Sequence, residues 1–435
     1  MKDWESKYAN KLVTAKEAVS HVQSGDKIVF THACGESQAL TSELVAQADR
    51  LENVEIIHMV AMGSAPYCQS GMEHHFRHNA LFVGGSTRKA VEEGRADFTP
   101  IFFSEVPEAF ASGLIPVDVV FLQVTEPDAN GLCSFGISVD YTQAAAKAAK
   151  LVIAQINKNM PYTYGNSISL DDIHYMIKQD EPLIELQPPK IGETEKKIGE
   201  YVASLIADGC TLQLGIGAIP DAVLSFLGDK KDLGIHSEMF SDGVVDLANK
   251  GVINNAKKTV DTGKFVATFL MGTKKLYDFV DHNPDVIVKP VNYTNDPFIV
   301  AQIDNIVCIN SALQVDLMGQ VNAEMIGSRQ FSGVGGQVDF VRGAARSKGG
   351  KAIIAMPSAT ANGKVSKICA HIDPGAAVTT SRNDVDYVVT EYGIAALKGK
   401  TLRQRAVALI SIAHPDFRPS LIAEFEQRFH AKFEG

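Results

Sequence analysis

The same order of parts occurs twice along the chain, and this repetition constrains the fold more than any other feature of the sequence. Residues 14–23 (TAKEAVSHVQ) put Ala18, Val19 and Val22 on one helical face. After them come Ser24-Gly-Asp26, the strand pattern KIVFT (27–31), a small-residue turn at His32-Ala-Cys-Gly35 and a helix from about Gln38. Residues 198–207 (IGEYVASLIA) begin the series again, followed by Asp208-Gly209, the strand CTLQL (210–214), the turn Gly215-Ile-Gly217 and a helix opened by Pro220 and Asp221. His58, in VEIIHM, lies 23 residues after Gly35, and Glu238 lies 23 residues after Gly215. A third pair follows in VVFLQVTEPDANG (119–131) and IVCINSALQVDLMG (306–319), each an apolar strand running into Asp-x-x-Gly.

Further strand patterns alternate with helical stretches: LFVGG (81–85), PIFFS (100–104), LVIAQI (151–156), AIIAMP (352–357) and YVVTEYG (387–393). Such alternation predicts mostly parallel sheets covered by helices. With 435 residues, 45% of them apolar, the chain can bury two cores. The expected fold is therefore α/β: two tandem open α/β domains related by internal duplication. Residues 178–195, with Pro182, Pro188, Pro189 and a cluster of charges, interrupt the pattern. This places the domains at 1–185 and 186–435. Ligands of parallel α/β sheets gather beyond the carboxyl ends of the strands, so a cleft between the two domains is the expected site.

A formal charge of −10 argues against nucleic acid as a partner, because neutralising phosphates needs a basic face. No run of about 18 apolar residues and no apolar signal region at the N-terminus are present, which predicts a cytoplasmic protein with no membrane partner. Six widely spaced cysteines read as reduced core residues. Glu73-His-His-Phe-Arg-His78 would bring two histidines one turn apart if helical, but it lacks a third ligand, so the expectation is no metal and a surface helix carrying histidines.

The chemistry concentrates in Gly234-Ile-His-Ser-Glu-Met-Phe-Ser-Asp-Gly243, where Glu238 falls at a strand tip, and in the Gly215–Gly217 turn beside it. A glycine turn leading into a helix offers free N–H groups and a helix dipole to an anion. A lone Glu at a strand end is otherwise a solvated carboxylate. Residues 327–340 (GSRQFSGVGGQVDF) hold four glycines in ten positions and precede Arg342, Arg346, Lys348 and Lys351. The stretch reads either as a flexible surface loop or as a site for phosphates. Asp128 and Asp316 carry turn signals first. Asn295 and Glu391 stand at strand-end loops, and Thr401 with Gln404 has capping-box spacing.

The GIGAIP turn, the HSEMFSDG stretch, the GVGGQVDF loop and the VTEYG segment, in that order and over nearly the whole chain, resemble the acetyl-CoA hydrolase/transferase family. The resemblance implies a CoA-transferase with a glutamate nucleophile at Glu238. It puts CoA against Gly215, Ile216, Gly217, Ala218 and Ile219 and against Gly335 and Gly336, with the N–H groups of Ile216 and Gly333 as oxyanion donors. It suggests Lys348, or in competition Lys351, for CoA, and Asn295 and Glu391 as supports for Glu238 and the acid. Coenzyme A and acyl-CoA are then substrates, with no permanently bound cofactor. The partner acids are small carboxylates, 4-hydroxybutyrate with acetate or butyrate, and a homodimer or higher homo-oligomer is expected. The duplication adds His32, Cys34, Glu36 and Met62 as first-half loop residues that could select the acid, though local packing explains them as well. Two other readings stand beside this one: an acyl-CoA hydrolase of the same family, and a non-catalytic nucleotide-binding α/β protein.

Overall fold

A computed structural model describes residues 3–434. The chain forms two compact units, one reaching to Leu186 and including Val266–Thr294, the other made of Gln187–Phe265 and the chain from Asn295 onward. The first unit is built on a seven-stranded sheet of β1 (Lys27–Phe30), β2 (Val54–His58), β3 (Phe76–Ala80), β4 (Ala96–Phe98), β5 (Val119–Val124), β6 (Leu151–Ile156) and β7 (Tyr175–Lys178). Their order is β4-β3-β2-β1-β5-β6-β7, and every pair is parallel. Helices α1 (Ala15–Ser20) and α2 (Gln38–Ala46) press Val19, Leu40 and Leu44 onto Ile28, Phe30, Ile56 and Phe121.

The second unit repeats the plan with β8 (Thr211–Leu214), β9 (Gly234–Ile235), β10 (Ile306–Asn310), β11 (Lys351–Ala355), β12 (Tyr387–Thr390) and β13 (Gly393–Ala396), in the order β9-β8-β10-β11-β12-β13. All pairs are parallel except β12 with β13. The run β2-β1-β5-β6-β7 thus matches β9-β8-β10-β11-β12. The registers agree as well: Ile28 faces Ile56 and Val119, as Leu212 faces Ile235 and Val307. Counting on from Ile56 and Ile235 puts Met59, not His58, at the place of Glu238. The equal spacing of His58 and Glu238 from their glycines is therefore one residue out of structural register, because Gly35 precedes Ile56 by 21 residues and Gly215 precedes Ile235 by 20.

Helix α3 (Glu193–Ser204) leads into β8, and α4 (Ala218–Ser225) follows it. Helix α5 (Gln337–Arg346) buries Phe340, Val341 and Ala344 against Ile306, Cys308 and Ala352. Near the C-terminus, α6 (Leu402–Ser411) opens with the expected capping box, Gln404 N–H to Thr401 Oγ1 and Thr401 N–H to Gln404 Oε1.

Several local expectations are corrected. Residues 266–294, assigned by sequence to the C-terminal half, bond to the first unit: Asp140 N–H donates to Thr268 O, Leu270 N–H to Ile137 O, and Val288 N–H to Tyr164 O. Backbone pairing between segments distant in sequence leaves no composition signal at its ends. LFVGG begins where β3 has already ended, and PIFFS runs into a short 3-10 turn over Phe103–Glu105. His78 lies in strand β3, buried, with Nδ1 on Ile56 O, while His74 precedes the strand and is exposed. The two histidines do not share a helical face. Five of the six free cysteines are buried. Among the described residues, no helix is long and apolar enough to cross a membrane, and no group of three or more His, Cys, Asp or Glu residues is placed to hold a metal ion.

Candidate active site

The short strand β9 ends at Ile235, and the next residues are sewn onto the end of β8. His236 N–H donates to Leu212 O. Ser237 Oγ accepts the N–H of Leu214 and donates to Leu214 O, both at 3.1 Å. Met239 then bridges back to Leu214. Glu238, half-buried between these two anchors, is held where β8 gives way to the Gly215–Gly217 turn. Gly217 has φ +116°, a conformation open to glycine and strained for other residues. The turn carries Ile216, 47% exposed, and delivers Ala218 and Ile219 as the first residues of α4.

The second glycine stretch meets the same carboxylate. Asn295, fully buried, donates Nδ2–H to Glu238 Oε2 at 2.8 Å. Gly336 packs so closely that a Cβ on it would lie 2.1 Å from Glu238 Oε2 and 2.3 Å from Asn295 Nδ2. Gly335, at φ +52°, turns the chain into α5, and Gly333 and Gly335 are buried. Glu238, Asn295, Gly336 and the 215–217 turn therefore form one constellation at the carboxyl edge of the second sheet. Nearby, Asn310 Nδ2 donates to Gln213 Oε1 at 3.1 Å, tying the ends of β10 and β8 together. Ser241 Oγ donates to Asp221 Oδ1, whose carboxyl is pushed up by burial.

Glu391 stands on the same edge at the end of β12, but four strands across from β9, which is about 19 Å at strand spacing. Its carboxylate accepts from Ser358 Oγ at 2.6 Å and from Ser358 N–H at 2.9 Å. It lines a cavity of about 630 Å³ with Lys367, Thr360, Tyr392 and His414. Burial holds the Lys367 ammonium below its ordinary range, against the pull of Glu391. Glu391 is thus placed to meet a ligand but not to support Glu238 directly. Ser358 and Lys367 belong to no motif, and nothing in the sequence marks them.

Lys348 is placed elsewhere. It precedes β11, its carbonyl accepts from Asn305 N–H just before β10, and its exposed Nζ lies 3.7 Å from Asp304. Lys351 opens β11 and donates to Leu205 O. Both sit at the amino edge of the sheet, opposite Glu238, which removes them from the constellation. In the first unit His32 Nδ1 pairs with Asp140 Oδ2 at 3.2 Å and Cys34 is fully buried. The Glu36 carboxyl accepts from Gly63 N–H and Thr41 Oγ1, and burial pushes it up to about 7.

The chain that carries this constellation matches a known family over most of its length. Residues 1–187 match the acetyl-CoA hydrolase/transferase N-terminal domain, and residues 272–425 match its C-terminal domain. The 4-hydroxybutyrate coenzyme A transferase of Clostridium kluyveri is 63% identical over 428 residues, covering 98% of this chain and 100% of that one. The succinyl-CoA:cyclohexane-1-carboxylate CoA transferase of Geobacter metallireducens is 44% identical over 421 residues, covering 97% and 96%. Among solved structures, a 4-hydroxybutyrate CoA-transferase from Porphyromonas gingivalis superposes with a TM-score of 0.85 at 44% identity, covering 98% of this chain and 100% of that one. The chain belongs to the acetyl-CoA hydrolase/transferase family and is an enzyme of the CoA-transferase kind.

Proposed function

We propose that the enzyme moves CoA between a short-chain acyl-CoA and a small carboxylate, 4-hydroxybutyrate with acetate or butyrate, by ping-pong chemistry through Glu238. The observation that carries this reading is the single carboxylate braced by Asn295 and packed against Gly336 beside the Gly215–Gly217 turn. A carboxylate oxygen of Glu238 attacks the thioester carbonyl, the C–S bond breaks, and an acyl-glutamyl anhydride and CoA thiolate result. The thiolate then attacks the glutamyl carbonyl, releasing the first acid as carboxylate and leaving a glutamyl-CoA thioester. A second carboxylate runs the two steps backwards.

Each tetrahedral state carries a negative oxygen, for which the N–H groups of Ile216 and Gly333 are the proposed donors. Each such donor contributes roughly 3 kcal/mol. CoA is proposed to lie along Gly215–Ile219 and Gly335–Gly336, so that binding of its remote parts supplies energy at the reacting centre. A cytoplasmic homo-oligomer is part of the same proposal.

The test is mass spectrometry after incubation with acyl-CoA alone. The expected product is a CoA-sized adduct on the peptide containing Glu238, labile to hydroxylamine and missing in Glu238→Ala. Full transfer activity in Glu238→Ala would overturn the mechanism. Steady hydrolysis of acyl-CoA that added acids leave unchanged would assign the chain to the hydrolase side of its family.

A further inference from the structure

Four residues of the second glycine stretch, Gly333-Val-Gly-Gly336, include three glycines, and glycine has the least conformational restriction of any residue. Something beyond the loop's own backbone must hold Gly336 against Glu238. Gln337, the next residue and the first of α5, carries the first polar side chain after the glycines, as Ser332, whose Oγ donates to Ala323 O, does before them, and Gln337 is 9% exposed. Its Nε2 donates to Ser311 O at 2.7 Å, and its Oε1 accepts from Thr380 Oγ1 at 2.9 Å. A carbonyl only accepts, so the amide orientation is fixed by Ser311.

Both partners are themselves anchored. Ser311 directly follows β10, whose last residue, Asn310, bonds the Gln213 amide at the end of β8. Thr380 is fully buried and exchanges two backbone hydrogen bonds with Val321, each 3.1 Å. The Gln337 amide thus joins the glycine stretch to the rim of the sheet that also supports the Gly215–Gly217 turn.

We infer that Gln337 is a positioning residue for the reaction: its amide sets the distance between the Gly333–Gly336 backbone and the Glu238 carboxylate. This rests on the mechanism proposed above. The residue touches no reacting atom and acts through Gly336.

Two variants test it from opposite ends of one hydrogen bond. Gln337→Met keeps the length and loses both bonds, whereas Thr380→Val keeps the shape and loses only the donor to Oε1. A displacement of about 1 Å at a reacting centre is worth up to ~10²-fold. Gln337→Met is therefore expected to slow both turnover and appearance of the Glu238 adduct by roughly 10- to 100-fold, with the KM for acyl-CoA changing far less than kcat. Thr380→Val is expected to give a smaller loss in the same direction, and the double variant no more than Gln337→Met alone, because the two act through one bond. Wild-type rates of adduct formation in folded Gln337→Met, or losses that multiply in the double variant, overturn the assignment. If the wild type transfers CoA with no adduct, the glutamyl mechanism fails by itself, and Gln337 is then judged on kcat in the same three variants.

Discussion

Gly336→Ala adds one methyl group at the point where the glycine stretch meets the nucleophile. The backbone at 336 has φ −94° and ψ 6°, which alanine adopts without the strain of a positive φ. The cost is steric. The new Cβ would stand 2.1 Å from Glu238 Oε2, 2.3 Å from Asn295 Nδ2 and 3.2 Å from Glu238 Cδ. The first two distances are more than 1 Å inside ordinary contact, so either the carboxylate swings away or α5 withdraws. Glu238 is half-buried and moves more easily than a helix whose Phe340 and Val341 are fully buried. Moving it breaks the 2.8 Å bond from Asn295, a charge-assisted bond worth about 1.5–3 kcal/mol, part of which rehydration returns. Replacing a glycine N-cap by alanine adds roughly 0.5–1 kcal/mol. Unfolding free energy should therefore fall by roughly 1–3 kcal/mol, which leaves a folded protein. A nucleophile displaced by about 1 Å should lose up to ~10²-fold in kcat, about 3 kcal/mol of barrier. Circular dichroism melts and the rate of the Glu238 adduct at saturating acyl-CoA separate the two effects. An alanine variant that melts like the wild type and forms the adduct at a comparable rate would refute the packing argument.

Lys348→Ala should leave kcat and the KM for acyl-CoA within about twofold of wild type, since the side chain is exposed at the amino edge beside Asp304 and an exposed ion pair contributes little. A tenfold rise in KM would return Lys348 to the CoA site. Glu36 makes a pH-dependent prediction. Its folded carboxyl is pushed up to about 7 by burial, so the folded state holds the proton more tightly than the unfolded one. The stability this gives is complete below the unfolded value near 4.5, falls as pH rises through 7, and levels off above it. Glu36→Gln, which removes the titration, should match the wild type below about pH 4 and exceed it at pH 8 by up to roughly 3 kcal/mol in denaturant unfolding. A difference that does not change with pH would show that Glu36 does not titrate in this window.

The strands and glycine turns of the second unit were legible because β8, β10, β11 and β12 are buried apolar runs that end at or within two residues of Gly215, Asn310, Pro357 and Glu391. Residues 266–294 were not, because their attachment to the first unit is made by main-chain bonds such as those to Thr268 O and Tyr164 O, which any side chains permit. The distance of Lys348 from Glu238 follows from the chain's own path. In a parallel sheet every connecting helix runs back from the carboxyl edge to the amino edge, and ten helical residues cover about 15 Å. Gly336 opens α5 and Lys348 follows its end, so the chain has crossed the sheet between them, and the strand KAIIA that begins at Lys351 says so. Nearness in sequence to a glycine loop therefore places a basic residue at an anion site only when no helix intervenes. By the same rule Arg346, in the last turn of α5, is already removed from Glu238, while Gln337, in the first turn, is not. A cation on a segment that follows a strand, as Lys367 does after β11, stays instead on the carboxyl edge, where it lines the cavity with Glu391.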